Sequence, residues 1–336
     1  MVGKPATTVD ANSGSYMTPQ ALSAAFVAAY QYNKWCTGVM FWQYSSDPSG
    51  TIVSQSISSL LSLVGSSTNT TANSTTANAT NTTKPNTTNS TTNTNSTSAT
   101  PANISIAYPI RLVYIDGISN WGSAAGLAAS LAVPGYAPPH LYNYVVLSFW
   151  LYPSGPADAA LLWANPSTYF GTASSFGSTD SQIRTNLKSL YSSNGIKLMV
   201  SAFGSTQSPT SSGFNPIACA TQLASYVSTY SLDGVDIDWE DTPAFQSGTG
   251  EAWLITFTTT LRQLLPNAII THAPQAPYFG GTALYPKNAY LAVEQAVGSM
   301  IQFYNIQFYN QGSTPYNTAN LLFNSSGGWA PGTSVN

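Results

Sequence analysis

Five of the chain's twelve acidic residues, Asp233, Asp236, Asp238, Glu240 and Asp241, fall within the ten positions from Leu232 to Asp241. Solvation of a surface needs no such density. Asp236, Asp238 and Glu240 alternate with Val235, Ile237 and Trp239, the period-two signature of a strand, which points three carboxylates to one face. Successive carboxylates on that face stand about 6–7 Å apart and repel. Some should therefore be protonated or hydrogen-bonded to one another at neutral pH, an arrangement suited to proton transfer. An acidic edge strand fits poorly, because Val235, Ile237 and Trp239 need burial. A calcium loop fits less well still, because a strand spaces its ligands too widely to wrap one ion.

Elements that alternate between strand and helix must position this stretch. Before it, strands are expected at residues 3–9, Thr37–Tyr44, Ile110–Ile115, Tyr144–Trp150 and Ile196–Phe203. Helices start at Thr18-Pro19, with Thr18 as cap and Pro19 at the first helical position, and at Thr179-Asp180. Further helices are expected over residues 52–64, 120–132, 216–230, 250–265 and 286–296. A long loop carrying Tyr152, Trp163, Tyr169 and Phe170 follows Trp150. Strands at Ala268–Ala273 and Met300–Tyr309 come after the acidic stretch, and the tail from Gly312 ends without another strand. Such alternation indicates parallel βαβ units. Eight strands in 336 residues suffice for a (β/α)8 barrel, which needs about 250.

The series is interrupted once. Residues 66–103 collapse to Thr, Asn, Ser and Ala and read as a disordered linker between residues 1–65 and 104–336. Its root-mean-square span of about 30–37 Å can join any two points on one face of a domain. Asn-x-Ser/Thr sites stand at Asn69, Asn73, Asn78, Asn81, Asn86, Asn89, Asn95, Asn103 and Asn324, which suggests a glycosylated, secreted protein. Met1–Pro5 does not open a signal peptide, so this N-terminus is expected not to be the natural one.

Charged residues make up 6% of the chain, with a net charge of −3. Neither nucleic acid nor an anionic membrane is an expected partner, and no apolar run is long enough to span a bilayer. A neutral ligand suits 20 Tyr and 8 Trp, since aromatic faces stack on sugar rings. Cys36 and Cys219 allow at most one disulfide and read as free thiols. His140 and His272 suggest no metal pair, and neither metal nor cofactor is expected. A monomer is favoured.

Asp233-Gly234-x-Asp236-x-Asp238-x-Glu240 resembles the signature of the family 18 glycoside hydrolases, the chitinases and their relatives. The resemblance extends further. Ser201-Ala-Phe-Gly204 is similar to the family's third-strand Ser-x-Gly-Gly, with Phe203 in place of the first glycine. Thr271-His-Ala-Pro-Gln275 resembles the fifth strand, and Gln307-Phe-Tyr-Asn310 the sixth strand of the plant and fungal class III branch. Gly3-Lys-Pro-Ala resembles the seventh strand and Gly38-Val-Met-Phe-Trp42 the eighth. The expected strand order is therefore 7-8-linker-1-2-3-4-5-6, with the sixth outer helix missing. It fits either a circularly permuted barrel or a frame cut from a tandem repeat.

The resemblance implies a retaining, substrate-assisted hydrolase of β-1,4 bonds in chitin or N-acetylglucosamine oligosaccharides. Glu240 would be the general acid. Asp238 would accept the acetamido N–H, and Asp236 would share a proton with Asp238. Tyr309 would bind the acetamido carbonyl, Trp42 would floor the reacting sugar, and Gln307 and Asn310 would contact sugar. Ser201 and Asp233 would be structural support, with Ser201 a hydrogen-bond partner for Asp236. An endo-β-N-acetylglucosaminidase, a non-catalytic chitin-binding lectin and an inactive repeat fragment are the alternatives. The presence of Glu240 argues against the lectin.

Overall fold

The computed structural model describes residues 1–11, 14–34, 37–67, 104–116, 123–138, 142–312 and 315–323. Its strands are β1 (Val2–Pro5), β2 (Gly38–Trp42), β3 (Ile110–Ile115), β4 (Tyr144–Leu151), β5 (Gly155–Pro156), β6 (Lys197–Phe203), β7 (Gly234–Asp238), β8 (Ile269–His272), β9 (Phe303–Tyr304) and β10 (Ile306–Gln307). Their order is β10-β1-β2-β3-β4-β6-β7-β8-β9, parallel throughout, with β5 a short antiparallel partner of β4. Asn305 alone separates β9 from β10. One segment thus pairs with β8 through its first half and with β1 through its second, and the sheet returns on itself. This is a (β/α)8 barrel.

The helices are α1 (Pro19–Asn33), α2 (Thr51–Ser67), α3 (Ala124–Ser130), α4 (Asp158–Ala164), α5 (Pro166–Phe170), α6 (Asp180–Ser193), α7 (Pro216–Thr229), α8 (Thr242–Ser247), α9 (Gly250–Leu264), α10 (Tyr290–Val297) and α11 (Ala319–Phe323). Local chemistry sets their starts. Thr18 accepts from the Ala21 N–H ahead of Pro19, Thr179 accepts from Gln182, and Asn215 accepts from Ala218 ahead of Pro216.

Three expectations need correction. The loop after Trp150 contains β5, α4 and α5, because Ala159, Ala160, Leu162 and Trp163 find burial that a polar loop would not offer. The gap in the helical ring is partly filled by α11, whose Phe323 meets Phe26 of α1 edge-on at 6.4 Å. Helix α2 runs to Ser67, two residues into the stretch read as linker. Residues 68–103, Cys36, His140, Asn324 and every glycosylation site lie outside the described residues.

Alternation along the strands separates two cores. Ile110, Leu112, Tyr114, Tyr144, Val146 and Met199 face the barrel interior, whereas Val113, Val145, Leu147, Val200, Val235 and Ile237 pack outward under the helices. The outward set explains why this sheet is apolar on its helical side. The inward set leaves polar residues at one level: the register pairs Ser201 with Asp236 and Asp236 with Thr271. Gly234 is needed for strand approach, since a Cβ there would stand 2.1 Å from the Ile269 carbonyl oxygen. Among the described residues no helix is long and apolar enough to cross a membrane.

Candidate active site

Asp236 is wholly buried and accepts four side-chain hydrogen bonds: Tyr114 Oη at 2.7 Å and Ser201 Oγ at 2.9 Å on Oδ2, Thr271 Oγ1 at 2.6 Å and Asn305 Nδ2 at 2.8 Å on Oδ1. Ser201 is thus the partner expected from sequence. Burial raises the Asp236 pKa, and the four donors oppose that rise. The carboxylate has no acceptor site left for a proton shared with Asp238.

Asp238, one pleat further along β7, behaves differently. Burial, reinforced by the negative charge of the neighbouring Glu240 and then of Asp236, holds its carboxyl well above the usual carboxylate range. The carboxyl set against Asp238 is thus that of Glu240, while four donors on Asp236 fill the positions that a proton shared by Asp236 and Asp238, as expected from sequence, would need. Gln307 Nε2 donates to Asp238 Oδ1 at 2.8 Å, to the Ala273 carbonyl at 2.8 Å and to Glu240 Oε1 at 3.3 Å. Gln275 Nε2 donates to Glu240 Oε2 at 2.8 Å. Gln307 thus turns its amide N–H groups towards protein acceptors, where sequence reading had it contacting sugar.

Two aromatic residues adjoin this cluster. Tyr309 is buried, and burial together with Asp238, Glu240 and Asp236 raises its pKa well above the usual tyrosine value, so its hydroxyl keeps its proton. Trp42, at the end of β2, lies 5.8 Å from Tyr114 and stacks on Phe149 at 5.9 Å between ring centroids. Phe149 in turn requires Gly204, which has a positive φ of 72° and whose added Cβ would stand 2.9 Å from the Phe149 ring. Asn310 follows Tyr309 with φ 65° and is exposed. No hydrogen bond brings it into the cluster among the described residues.

Residues 111–331 match the family described as glycosyl hydrolases family 18. The chain belongs to that family. Solved structures similar to it include a family 18 chitinase from Pseudoalteromonas aurantia, at 29% identity over 60% of this chain and 68% of that one, TM-score 0.43. A putative chitinase A from Streptomyces coelicolor matches at 20% identity over 60% of each chain, TM-score 0.38. A fungal family 18 endo-beta-N-acetylglucosaminidase matches at 18% identity over 58% of this chain and 66% of that one, TM-score 0.36. No curated protein matches.

Within this family 18 chain, the structure brings Asp236, Asp238, Glu240 and Gln307 into one hydrogen-bonded cluster, with Tyr309 close enough to feel all three carboxylates. Trp42 reaches it through Tyr114. The other two acidic residues of the stretch are structural. Asp233 pairs with Lys188 and accepts the Leu198 N–H at 2.7 Å. Asp241 accepts the Ser211 N–H at 2.7 Å and its hydroxyl at 2.5 Å.

Tyr114, Asn305, Phe149 and Gln275 were missed as site residues. Only Gln275 carried a signal, as the last residue of the fifth-strand motif. His272 is buried at 3.2 Å from the Thr258 hydroxyl and 3.0 Å from that of Tyr290, and burial lowers its pKa to about 3. It is a neutral core residue. The described residues hold no group of three or more metal-ligating side chains.

Proposed function

We propose that the chain hydrolyses β-1,4 bonds in chitin or N-acetylglucosamine oligosaccharides with net retention. The observation that carries this reading is the Gln307 amide that joins Asp238 Oδ1 to Glu240 Oε1, with the Asp238 carboxyl held well above the usual carboxylate range and a protonated Tyr309 hydroxyl beside it. A usual retaining glycosidase keeps a second carboxylate free as nucleophile, but here burial favours the protonated form of Asp238 and Asp236 is saturated with donors. The nucleophile is then the substrate's own 2-acetamido oxygen.

Glu240 delivers its proton to the glycosidic oxygen as that bond breaks and the acetamido oxygen bonds to the anomeric carbon. Glu240 and Asp238 hold one proton between them, so its delivery leaves Asp238 ionised to accept the acetamido N–H and offset the positive charge of the oxazolinium ion. The Tyr309 hydroxyl donates to the acetamido oxygen and orients it. Glu240 then takes a proton from water, whose oxygen bonds to the anomeric carbon and reopens the acetamide. Trp42 offers an apolar face beneath the reacting sugar.

Glu240→Gln should lower kcat on chitin oligomers by at least about 10³-fold while leaving binding intact. Turnover at the parent rate, or an initial α-anomer in the product, would refute this mechanism. Cleavage of a glycopeptide's chitobiose core in preference to chitin oligomers would instead mark an endo-β-N-acetylglucosaminidase.

A further inference from the structure

The hydrolase reading gives Glu240 its role but leaves unexplained why both of its carboxyl oxygens are held by amide groups. Gln307 reaches Oε1 at 3.3 Å while also holding Asp238. Gln275 reaches Oε2 at 2.8 Å, and Glu240 is its only side-chain hydrogen-bond partner among the described residues. Its backbone is pinned: it forms an isolated parallel bridge with Gln307, the Gln307 N–H donates to the Pro274 carbonyl at 2.8 Å, and the Tyr278 N–H donates to the Gln275 carbonyl at 3.0 Å. The amide is therefore delivered to Glu240 from a fixed position.

We propose that Gln275 is a positioning residue that fixes which oxygen of Glu240 carries the catalytic proton. Its N–H occupies the lone-pair region of Oε2 and favours that oxygen as the unprotonated one. The proton is left on the Oε1 side, where the Gln307 contact is longer, 3.3 Å, and shared with Asp238 and the Ala273 carbonyl. The same N–H stabilises the carboxylate formed when the proton has been given up. The charges and titratable groups facing Glu240 are otherwise Asp238 and, deeper, Asp236 on β7, Tyr309 after β10, and Tyr278, whose hydroxyl is engaged with Thr242 at 2.7 Å. Glu240 forms no ion pair with a described lysine or arginine. Gln275 and Gln307 are thus the neutral donors left to stabilise its charge.

This inference rests on Glu240 being the acid, and leaving-group dependence separates the two. An oligosaccharide leaving group needs the acid's proton, whereas a 2,4-dinitrophenolate does not. Gln275→Met keeps the length and removes the donor. It should lower kcat on chitotetraose about tenfold with KM little changed, and lower the rate on 2,4-dinitrophenyl chitobioside less than about twofold. Its alkaline limb on chitotetraose should move up by about one pH unit. Gln275→Glu, which places an acceptor against Oε2, should be slower still at neutral pH.

Equal losses on both substrates, or an unmoved alkaline limb, would overturn the inference. If Gln275→Met is too unstable to assay, Gln275→Glu carries the same leaving-group comparison. Glu240→Gln is the control. It is read on the first-turnover burst of 2,4-dinitrophenol, because Glu240 also serves as the base of the second step; if that burst is slowed as much as chitotetraose cleavage, the hydrolase mechanism itself fails. If Glu240→Gln shows the leaving-group dependence and both Gln275 variants do not, only the role of Gln275 falls.

Discussion

Asp236 and Lys4 are both fully buried and neither has a counter-ion among the described residues, yet the fold accommodates them in opposite ways. The anion takes side-chain donors from β3, β6 and β8 and from Asn305. The cation takes backbone carbonyls: Lys4 Nζ donates to Ser15 at 3.0 Å, Phe308 at 2.9 Å and Tyr316 at 2.6 Å. Asp236 is served by strand register, which sets inward side chains at one height. Lys4 is served by segments far apart in the chain and fastens β1 to the stretch that follows β10. Three carbonyls match the three N–H groups of an ammonium, while burial pulls the Lys4 pKa down to about 7. A buried charge is therefore tolerable without an ion pair when its hydrogen-bonding capacity is filled.

The comparison breaks most visibly at the anion. Asp236→Leu removes the acceptor from four buried donors and should cost about 4 kcal/mol or more, measured by denaturant unfolding. Activity should be lost with it. Lys4→Met leaves three carbonyls without a donor but also removes a buried charge, so its cost should be lower, about 2 kcal/mol. A larger loss at Lys4 than at Asp236 would invert the ranking.

Lys4 also predicts a pH dependence. The unfolded chain keeps its Lys4 proton up to the ordinary value of 10.5, whereas the folded chain releases it near 7. Between these values the unfolded state binds more protons, so stability rises with pH. The unfolding midpoint of the parent chain should rise relative to Lys4→Met from pH 7 to pH 9. A flat difference would show that the carbonyl cage holds the ammonium charged throughout. The smallest effect concerns the stretch from residue 68 to residue 103. We propose that it only tethers the two parts. A single proteolytic cut within it should leave chitin-oligomer hydrolysis within about twofold of the intact chain, because β1–β10 and β2–β3 pairing and Lys4 all hold the parts together. Loss of activity on cutting would assign the stretch a structural role.

Much of the site was legible because a strand has a strict period. Alternation alone separates Asp236 and Asp238 from Val235 and Ile237, and the structure divides them between the interior and the outer core. Helix starts at Pro19, Asp180 and Pro216 were legible because capping is local. The helices after Trp150 were not, since their apolar residues are buried by packing that no short window displays. The carboxyl that partners Asp238 was also missed. Spacing along β7 treats Asp236–Asp238 and Asp238–Glu240 as equivalent neighbours, and only the donors reaching Asp236 from other strands remove it from the contest.

The sequence by itself determined which residues could transfer a proton and that they would share one face, because chemical type and strand period are properties of ten consecutive positions. Tertiary structure decided which carboxyl stands against Asp238, which amides hold the two, and how β1 near the start of the chain closes the ring beside Ile306 and Gln307 near its end. Those outcomes depend on register between strands and on carbonyls that every residue possesses. Residue type carries no record of either.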